Sequence, residues 1–373
     1  MINKFVIENF KSHSKTSLNF SKINVLTGLN GMGKSSAIQA LLLLRQSNKK
    51  KFNGLELNGE ICSIGVVQDA VYQSANDDFI KFSIEHVDGN FEWKFLADPQ
   101  NIFDTFSQKL ADSIEPTEYN DLNLFNNKFQ YISAFRNGPT DSYEKSTSVV
   151  EHENQISQKE GRCEFVAHYL DYFGKTEVDE MLKNNPKEDS NLIFQVRQWM
   201  REISPNINIH INPSGTNYKI DYSFDRGEGQ ISTFEFKAKN IGFGISYVLP
   251  IIVAALHAPV GSIIIIENPE AHIHPGGQSK LMELISKSSK RGVQFIIETH
   301  SDHIINGLLV ATKRDLISKD DSSIYYFKRD EKTHSTEAIH LPILDGGKIQ
   351  RPPKGFFDQL DIDMDTLMGI KYE

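Results

Sequence analysis

Residues 28–35 read Gly-Leu-Asn-Gly-Met-Gly-Lys-Ser, a complete G-x-x-x-x-G-K-S sequence that we call the phosphate loop. The run 23–27 before it is short and β-prone, and the run 37–44 after it is an apolar helix former. This order constrains the fold, because such a loop lies between the carboxyl end of a strand and the amino end of a helix. We therefore predict an α/β fold built around this unit.

The residue types in the phosphate loop suit the binding of phosphate groups. Glycine allows backbone N–H groups to turn toward phosphate oxygens, Lys34 can reach β- and γ-phosphates, and the Ser35 hydroxyl can ligate Mg²⁺. A chance match in a loop of mixed composition is the alternative, and the flanking strand and helix argue against it. We predict that the chain binds a nucleoside triphosphate and Mg²⁺ through Gly28, Asn30, Gly31, Gly33, Lys34, Ser35 and Ser36.

A second apolar run ends in an acid, as a magnesium site beside such a loop requires. Residues 263–266 are four consecutive isoleucines, and Glu267 follows them. Continuous β-branched runs indicate strands of a parallel sheet covered on both faces, and the end of such a strand lies near the phosphate loop. Glu267 is therefore predicted to bind the metal with Ser35. One strand later, His300 is placed to touch a γ-phosphate or the attacking water, unless it is a helix-capping or core histidine.

Composition excludes several classes of protein. A net charge of −9 and a pI near 5.8 argue against nonspecific nucleic-acid binding over the whole surface. Arg45 with the lysines at 49–51 forms a local basic cluster, either a DNA contact or a solvated helix end. Cys62 and Cys163 lack the spacing of a disulfide framework or a zinc site. Without a long apolar run or a signal peptide, we expect a cytoplasmic protein with no membrane association.

The rest of the chain divides by pattern. Alternation predicts strands over 5–7, 17–20, 61–72 and 207–211, over 218–224 and 231–236, and a hairpin over 79–95 that turns at residues 88–90. Helices are predicted over 164–182, 192–203, 245–256 and 278–289, and buried strands over 262–266 and 293–297. Residues 97–160 read as loops with short helices, because prolines interrupt a polar, weakly periodic run.

Five stretches in a fixed order resemble one family of ATPases. The chain is similar to the ABC (ATP-binding-cassette) type of P-loop ATPase found in SMC, RecF and OLD proteins, and most of all to the compact stand-alone bacterial members. The matching stretches are residues 7–12 (opening strand), 28–35 (Walker A), 240–246 with Leu249-Pro250 (signature), 263–275 (Walker B and D-loop) and 298–301 (switch histidine). The stretches span nearly the whole chain, and their order makes the set specific.

The resemblance implies an α/β P-loop NTPase of ABC type. Its mixed, largely parallel sheet core would carry an N-terminal antiparallel β lobe and a helical and β insertion. The implied division is an ATPase lobe over 1–96, an insertion over 97–239, a second ATPase lobe over 240–318 and a C-terminal extension over 319–373.

The resemblance also implies a homodimer or higher oligomer with two shared nucleotide sites. In such a dimer, the signature segment of one subunit closes over the ATP of the other. The residues expected to act in trans are Asn240, Gly242, Gly244 and Ser246. Glycine N–H groups and a hydroxyl at the start of a helix would form an anion site there. The alternative is a tight packing turn into helix 245–256.

One position departs from the family pattern. The family usually has a second glutamate directly after the Walker B acid, whereas this chain has Asn268. An amide orients water but takes no proton, so hydrolysis is expected to be slow. Glu270 is the preferred catalytic assistant, with Glu267 as metal carboxylate; alternatively Glu267 is the base, or Glu270 is structural. Gln68 and Gln73 are candidates for the Q-loop glutamine that contacts Mg²⁺, and Gln68 is preferred.

The biological role is open between three hypotheses. The first is an ATP-gated dimeric switch in bacterial anti-phage defence, which licenses a separate protein effector such as a nuclease. The second is a RecF-like DNA repair ATPase, for which nucleic acid would be a partner. The third is a module that uses ATP only as a dimerising ligand. SMC-like members carry hundreds of residues of coiled coil between Walker A and signature, where this chain has the 204 residues 36–239. OLD-type members carry a nuclease domain after the switch histidine, where 73 residues follow His300 here, so we expect neither part in this chain.

Overall fold

The computed structural model describes residues 1–48, 53–98, 102–116, 122–226, 232–350, 352–353 and 355–369. The helices are α1 (Lys34–Asn48), α2 (Val67–Ala70), α3 (Val166–Phe173), α4 (Leu192–Arg201), α5 (Phe243–His257), α6 (Pro275–Lys290), α7 (Asp302–Lys313) and α8 (Gln359–Leu367). The first strands are β1 (Ile2–Phe10), β2 (His13–Asn19), β3 (Ile23–Gly28), β4 (Gly54–Glu56), β5 (Phe79–His86), β6 (Gly89–Leu96), β7 (Phe106–Gln108) and β8 (Phe129–Ile132). The later strands are β9 (Ile207–Ser214), β10 (Asn217–Phe224), β11 (Phe236–Lys237), β12 (Ile263–Glu267), β13 (Gln294–Glu298), β14 (Ser322–Arg329), β15 (Thr336–Leu341), β16 (Ile343–Leu344) and β17 (Lys348–Ile349).

A six-stranded sheet forms the centre, in the order β15-β14-β3-β13-β12-β8. All neighbours are parallel except β15, which pairs antiparallel with β14. The isoleucines of β12 are at most 1% exposed, as expected for a strand covered on both faces. Because the parallel strands end at one edge, the phosphate loop after β3 lies beside the ends of β13 and β12.

Different elements pack on the two faces of the central sheet. Helix α1, apolar on almost every side, lies between one face and the antiparallel sheet β2-β1-β5-β6. Helices α5, α6 and α7 pack on the other face, together with α3, α4 and the small sheet β11-β10-β9. The predicted α/β fold with a largely parallel core and an N-terminal antiparallel lobe is confirmed.

The segment 97–239 contributes to the core, which the sequence did not predict. Residues 97–160 were expected to form loops and short helices, but β8 is the edge strand of the central sheet and pairs with the Walker B strand β12. Its four residues are too short for a periodicity signal. Strands β14 and β15 belong to the expected C-terminal extension, but they also join the central sheet, since β14 pairs with β3 and β15 pairs with β14. The sheet therefore crosses the boundaries predicted from sequence at 97 and 319.

Three local predictions were wrong in part. Residues 61–72 form a turn and the short helix α2 rather than a strand, since the Asp69 carboxylate accepts from the Val66 N–H. The helix predicted over 164–182 stops at Phe173, before Gly174. Strand β11 is Phe236–Lys237 and shares only Phe236 with the expected run 231–236, and residues 227–231 lie outside the described residues.

The structure also bears on the predictions for the basic cluster, the cysteines and membrane association. Of the basic cluster, the lysines at 49–51 lie outside the described residues, whereas Arg45 is buried and donates to the carbonyls of Leu124 and Asn126. Arg45 is therefore not available as a DNA contact. Cys62 and Cys163 are buried and unpaired. Within the described ranges no helix has both the length and the apolar character needed to cross a bilayer.

Candidate functional site

An open cavity of about 1050 Å³ lies at the carboxyl edge of the central sheet. The phosphate loop supplies part of its wall, the ends of β12 and β13 supply the facing part, and residues after β8 complete it. The lining residues include Asn30, Gly31, Gly33, Lys34, Ser35, Ser36, Glu267, Asn268, Glu298 and His300. The structure thus brings together most of the residues predicted from sequence to bind nucleotide, with two of the three predicted metal ligands, Ser35 and Glu267.

Two glycines of the phosphate loop have backbone φ angles that favour glycine. Gly28 and Gly33 have φ of 134° and 101°, and a Cβ on Gly28 would lie 2.3 Å from the Phe327 carbonyl oxygen. Lys34 Nζ donates to the carbonyls of Gly28 and Leu29, at 2.8 Å each. Burial lowers the pKa of Lys34. The lysine is therefore held across its own loop, with its ammonium group beside the cavity.

Four side chains from two hairpins support the loop, and we call them the brace: Ser12, His13, Arg329 and Thr336. The Thr336 hydroxyl donates to the Met32 carbonyl at 3.0 Å and lies 2.7 Å from the Ser12 hydroxyl. Arg329 donates to the Gly31 carbonyl at 2.9 Å.

His13 contacts the phosphate loop through the Gly33 carbonyl. Its Nε2 lies 3.0 Å from the Gly33 carbonyl, which can only accept, so Nε2 carries the proton and Nδ1 faces the Thr16 hydroxyl. The His13 side chain is fully buried, and this burial lowers its pKa to about 4. The histidine therefore supports the loop as a neutral ring.

Opposite the loop lies the carboxylate wall, which we define as Glu267, Asn268 and Glu298. Glu267 and Glu298 are register partners at the ends of β12 and β13. Glu267 Oε2 accepts from the Ala134 N–H at 3.0 Å. Burial raises the pKa of Glu267, against the opposite effects of that N–H and of the Tyr131 hydroxyl. A protonatable carboxylate therefore faces the cavity.

Glu298 has the more unusual environment of the two acids. Its Oε1 accepts from the Ser35 hydroxyl at 2.8 Å, whereas its Oε2 is buried without a hydrogen-bond partner among the described residues. Burial and the nearby Glu267 raise the pKa of Glu298 to about 7. Sequence reasoning placed Glu298 only in the switch-histidine stretch, because nothing in the sequence shows which strand end meets Ser35.

The preferred catalytic assistant does not line the cavity. The two Glu270 oxygens accept from the Thr299 hydroxyl and the His300 N–H, at 2.8 Å each. This carboxylate therefore ties the D-loop turn to the switch segment, which favours the structural alternative for Glu270. Asn268 does line the cavity, with φ of 44°, and its N–H donates to the Glu298 carbonyl. His300 lines the cavity as predicted, and burial lowers its pKa.

Both glutamine candidates lie elsewhere. Gln68, predicted as a metal ligand, is exposed on α2, and Gln73 is exposed just after it; neither is in the cavity wall. The prediction failed because it looked for the glutamine after an apolar run at 64–67, which is not a strand of the core. The strand beside Glu267 is β8, and the residues that follow it reach the site.

Arg136, which follows β8, was missed by sequence reasoning. It is 1% exposed, and its guanidinium donates to four carbonyls, all at 2.8 or 2.9 Å: Ser133, Tyr247, Glu267 and Asn268. It therefore joins the end of β12 to the signature helix α5. A single arginine in a polar segment carries no sequence signal for this position.

The predicted signature residues lie outside this cavity. Gly242 caps α5, is exposed and has nothing within 4 Å of a built Cβ, and Asn240 is exposed nearby. A Cβ on Gly244 would lie 2.2 Å from the His272 carbonyl oxygen, so this glycine packs against the D-loop turn. Ser246 is only 3% exposed and faces inward beside Tyr143 and Tyr222. In this single chain the Ser246 hydroxyl is therefore turned away from the surface that a neighbour's ATP would reach, and its role in trans stays a prediction.

The cavity wall fits a magnesium ion bound together with phosphates. In the part of the chain that the structure describes, no group of three or more His, Cys, Asp or Glu side chains could hold a metal alone. Mg²⁺ in phosphate sites usually takes one or two carboxylates and completes its shell with substrate phosphates and water. Ser35, Glu298 and Glu267 supply a donor set of that kind.

Comparisons with known proteins identify a family and a similar fold. A family model described as "AAA domain, putative AbiEii toxin, Type IV TA system" matches residues 23–306, and one described as "Protein of unknown function (DUF3696)" matches residues 317–367. No curated protein matches the chain. A structure of the SmcHead bound to the C-winged helix domain of ScpA has 12% identity and a TM-score of 0.54, covering 92% of this chain and 98% of that one.

A second solved structure is similar to the same degree. It is the Smc head domain with an extended coiled coil bound to the C-terminal domain of ScpA, derived from Pyrococcus furiosus. Its identity is 13% and its TM-score 0.52, covering 99% of this chain and 98% of that chain. At such identities the likeness concerns the fold, and it confirms the predicted fold class.

Proposed function

The chain belongs to the AAA-domain family described as "putative AbiEii toxin, Type IV TA system", and from this premise we infer that it acts as an ATP-gated dimeric switch. It is an ABC-type P-loop ATPase of the SMC/RecF/OLD-like group, and the part of the chain that the structure describes is compact. The proposed cycle has three steps: ATP binding joins two subunits, hydrolysis separates them, and a separate effector responds to the joined state. Binding that favours one assembly shifts the population toward it by mass action.

One observation carries this proposal. The cavity gathers the phosphate loop, two carboxylates and the switch histidine, whereas the exposed start of the signature helix points into open space outside it. Among the described residues, Gly242 and Asn240 therefore do not line the cavity of their own subunit. A second copy that brings its signature segment over the first cavity would complete both sites by symmetry.

The chemistry is assigned to residues of the cavity wall. Lys34 contacts the β- and γ-phosphates, and His300 contacts the γ-phosphate or the attacking water. Mg²⁺ bound with the nucleotide supplies neutralisation of the phosphate charge. We assign the proton acceptor to Glu267, because its raised pKa suits proton transfer and Glu270 is held by Thr299 and His300.

A second candidate function has support from Asn268. The residue lies in the cavity wall where the family usually has a catalytic glutamate, and its amide cannot accept a proton. In this version ATP serves as a dimerising ligand and is hydrolysed slowly or not at all. Intact ATP recovered from the dimer after long incubation would favour this candidate over the switch.

We extend the proposal to a wider role in the cell. The family description names a toxin of a TA system, which supports bacterial anti-phage defence. The Smc heads of similar fold are bound to ScpA domains, which supports a protein effector. We propose the cytoplasm as the compartment and leave nucleic acid as a possible further partner.

The mass of the particle with and without nucleotide tests the switch. We expect light scattering after size exclusion to give a larger mass with MgATP than without it. Glu267→Gln should prolong the larger state, because hydrolysis is blocked while nucleotide still binds. Lys34→Ala is the matched negative control. An unchanged mass for wild type and Glu267→Gln in MgATP would refute the dimer.

The shared site is tested by mixing two inactive variants. Gly242→Glu is tolerated in one subunit, since nothing lies within 4 Å of its Cβ, but places a carboxylate against phosphates in the dimer. Gly242→Glu and Lys34→Ala should each be inactive alone. Mixed together they should recover ATPase activity, because each mixed dimer retains one intact pair of half-sites. Gly242→Ala is the control and should behave as wild type; no recovery on mixing would contradict a site in trans.

A further inference from the structure

We propose that Glu298, at the end of β13, is a direct ligand of the Mg²⁺ that accompanies the nucleotide, and that it shares this ion with Ser35. The inference rests on the proposed nucleotide binding and deepens it. It assigns the metal carboxylate to the switch strand, whereas Glu267 on the Walker B strand was the residue expected from sequence.

The order of strands places Glu298 nearer to the phosphate loop than Glu267. In the central sheet β13 lies directly beside β3, with Glu298 paired to Leu26, and β12 lies beyond β13. Neighbouring strands are about 4.8 Å apart, so β12 is displaced from the loop strand by roughly 10 Å. An ion held on Ser35 would therefore meet the carboxylate of β13 first.

The distance between the two proposed ligand atoms has the value that a shared ion requires. Ser35 Oγ and Glu298 Oε1 are 2.8 Å apart. In an octahedral Mg²⁺ shell with bonds of about 2.1 Å, neighbouring ligand oxygens are about 3.0 Å apart. The two oxygens could therefore take adjacent positions on one ion with little movement.

The second Glu298 oxygen is an independent observation that points to a ligand. Oε2 is buried without a partner among the described residues, although Glu298 is 5% exposed and belongs to the cavity wall. A buried carboxylate oxygen without a donor is costly unless a cation or hydrogen bond compensates it. The corresponding oxygen of Glu267 already accepts from the Ala134 N–H. The unsatisfied oxygen on the wall is therefore that of Glu298.

Manganese binding tests the assignment without relying on turnover. Mn²⁺ is titrated into the full-length protein saturated with ADP, and free Mn²⁺ is measured by electron paramagnetic resonance. Substitutions of groups around a metal cost about 10- to 100-fold in affinity even outside the direct ligands. We therefore expect Glu298→Gln, which can keep its hydrogen bond from Ser35, to weaken Mn²⁺ binding by at least about tenfold.

Glu270→Gln is the matched control, because its carboxylate accepts from Thr299 and His300 outside the cavity wall, and its Mn²⁺ affinity should stay within about twofold of wild type. A Glu298→Gln protein that binds Mn²⁺ within twofold of wild type overturns the inference. If Glu298→Gln does not fold, Glu298→Asp replaces it. The shorter carboxylate should then weaken Mn²⁺ binding by a measurable factor, and wild-type affinity would overturn the inference.

A separate arm distinguishes failure of the inference from failure of the proposed function. Fluorescent ADP is titrated into wild type and Glu298→Gln in EDTA and again in Mn²⁺. Wild type that binds no nucleotide in either solution contradicts the proposed function. Nucleotide binding that Mn²⁺ strengthens equally in both proteins contradicts only the assignment of Glu298. We expect Mn²⁺ to strengthen binding in wild type and to lose most of that effect in Glu298→Gln.

Discussion

The two sides of the cavity are built in opposite ways. The phosphate loop has its carbonyls and its lysine paired within the protein, by the brace and by its own backbone. The carboxylate wall instead presents two buried acids with raised pKa values, and one oxygen there has no partner. The phosphate loop is therefore held in its conformation by hydrogen bonds within the protein. The carboxylate wall instead contains buried acids whose charged forms a bound cation would stabilise. Binding of the nucleotide with its metal is therefore expected to stabilise the wall more than the loop.

The largest expected effect concerns chemistry at the wall. Glu267→Gln should lower kcat for ATP hydrolysis by about 10²- to 10⁴-fold, because it removes the proposed proton acceptor. Glu270→Gln should lower it by less than about tenfold, since Glu270 is held by Thr299 and His300 outside the cavity wall. Steady-state phosphate release measures both. A larger loss in Glu270→Gln than in Glu267→Gln would restore Glu270 as the catalytic assistant.

The next effect concerns the backbone that carries the wall. Arg136→Met removes a buried guanidinium that donates to four carbonyls, and we expect the free energy of unfolding to fall by roughly 3–5 kcal/mol. Urea unfolding followed by circular dichroism measures it. Arg162→Met is the control, because this cavity-lining cation is half exposed and pairs with Glu160. Its effect should stay within about 0.5 kcal/mol.

The brace gives a pH dependence of stability with a defined sign. His13 has a pKa of about 4 in the folded protein, below its ordinary value of 6.5, so the unfolded chain binds more protons between these values. The contribution of His13 is complete above pH 6.5 and is lost as the pH falls toward 4, on the order of 3 kcal/mol.

His257 is partly buried and has the same folded pKa of about 4, so it also contributes to the loss of stability in acid. His13→Gln should remove about half of the loss that the two histidines cause between pH 6.5 and 4. Chemical unfolding at a series of pH values, for wild type and variant, measures it. If the free energy of unfolding of His13→Gln had the same pH dependence as that of wild type, protonation of His13 would not destabilise the fold.

The smallest expected effect tests whether the brace shapes the loop. Thr336→Val leaves the Met32 carbonyl without its hydroxyl donor, at a cost of about 1–2 kcal/mol. Thr312→Val is matched, since it removes a buried hydroxyl bonded to the Leu308 carbonyl far from the cavity. Both should lower the unfolding midpoint, but only Thr336→Val should weaken nucleotide binding. Equal nucleotide affinities would show that the brace supports the fold rather than the loop.

Much of the nucleotide site could be predicted from short-range sequence. The phosphate loop, Glu267 and His300 lie in the cavity wall because each follows a strand whose apolar run is visible in the sequence. The orientations of Gln68 and Ser246 could not be predicted, for a common reason. The predicted role of each residue required it to face the nucleotide. The sequence around Gln68 is short and irregular and the helix that carries Ser246 is apolar on all sides, so neither pattern shows which way the side chain faces.

The sequence by itself determined the elements of this protein and the residue types at their ends, since strand and helix formation depends on local periodicity and on glycine at special backbone angles. Only the tertiary structure decided which strand ends became neighbours. It placed β13 beside β3 and β8 beside β12, which brought Glu298 to Ser35 and Arg136 to the Walker B carbonyls. Strand order depends on long-range burial and on pairing between segments far apart in the chain, and no local run of residues records it.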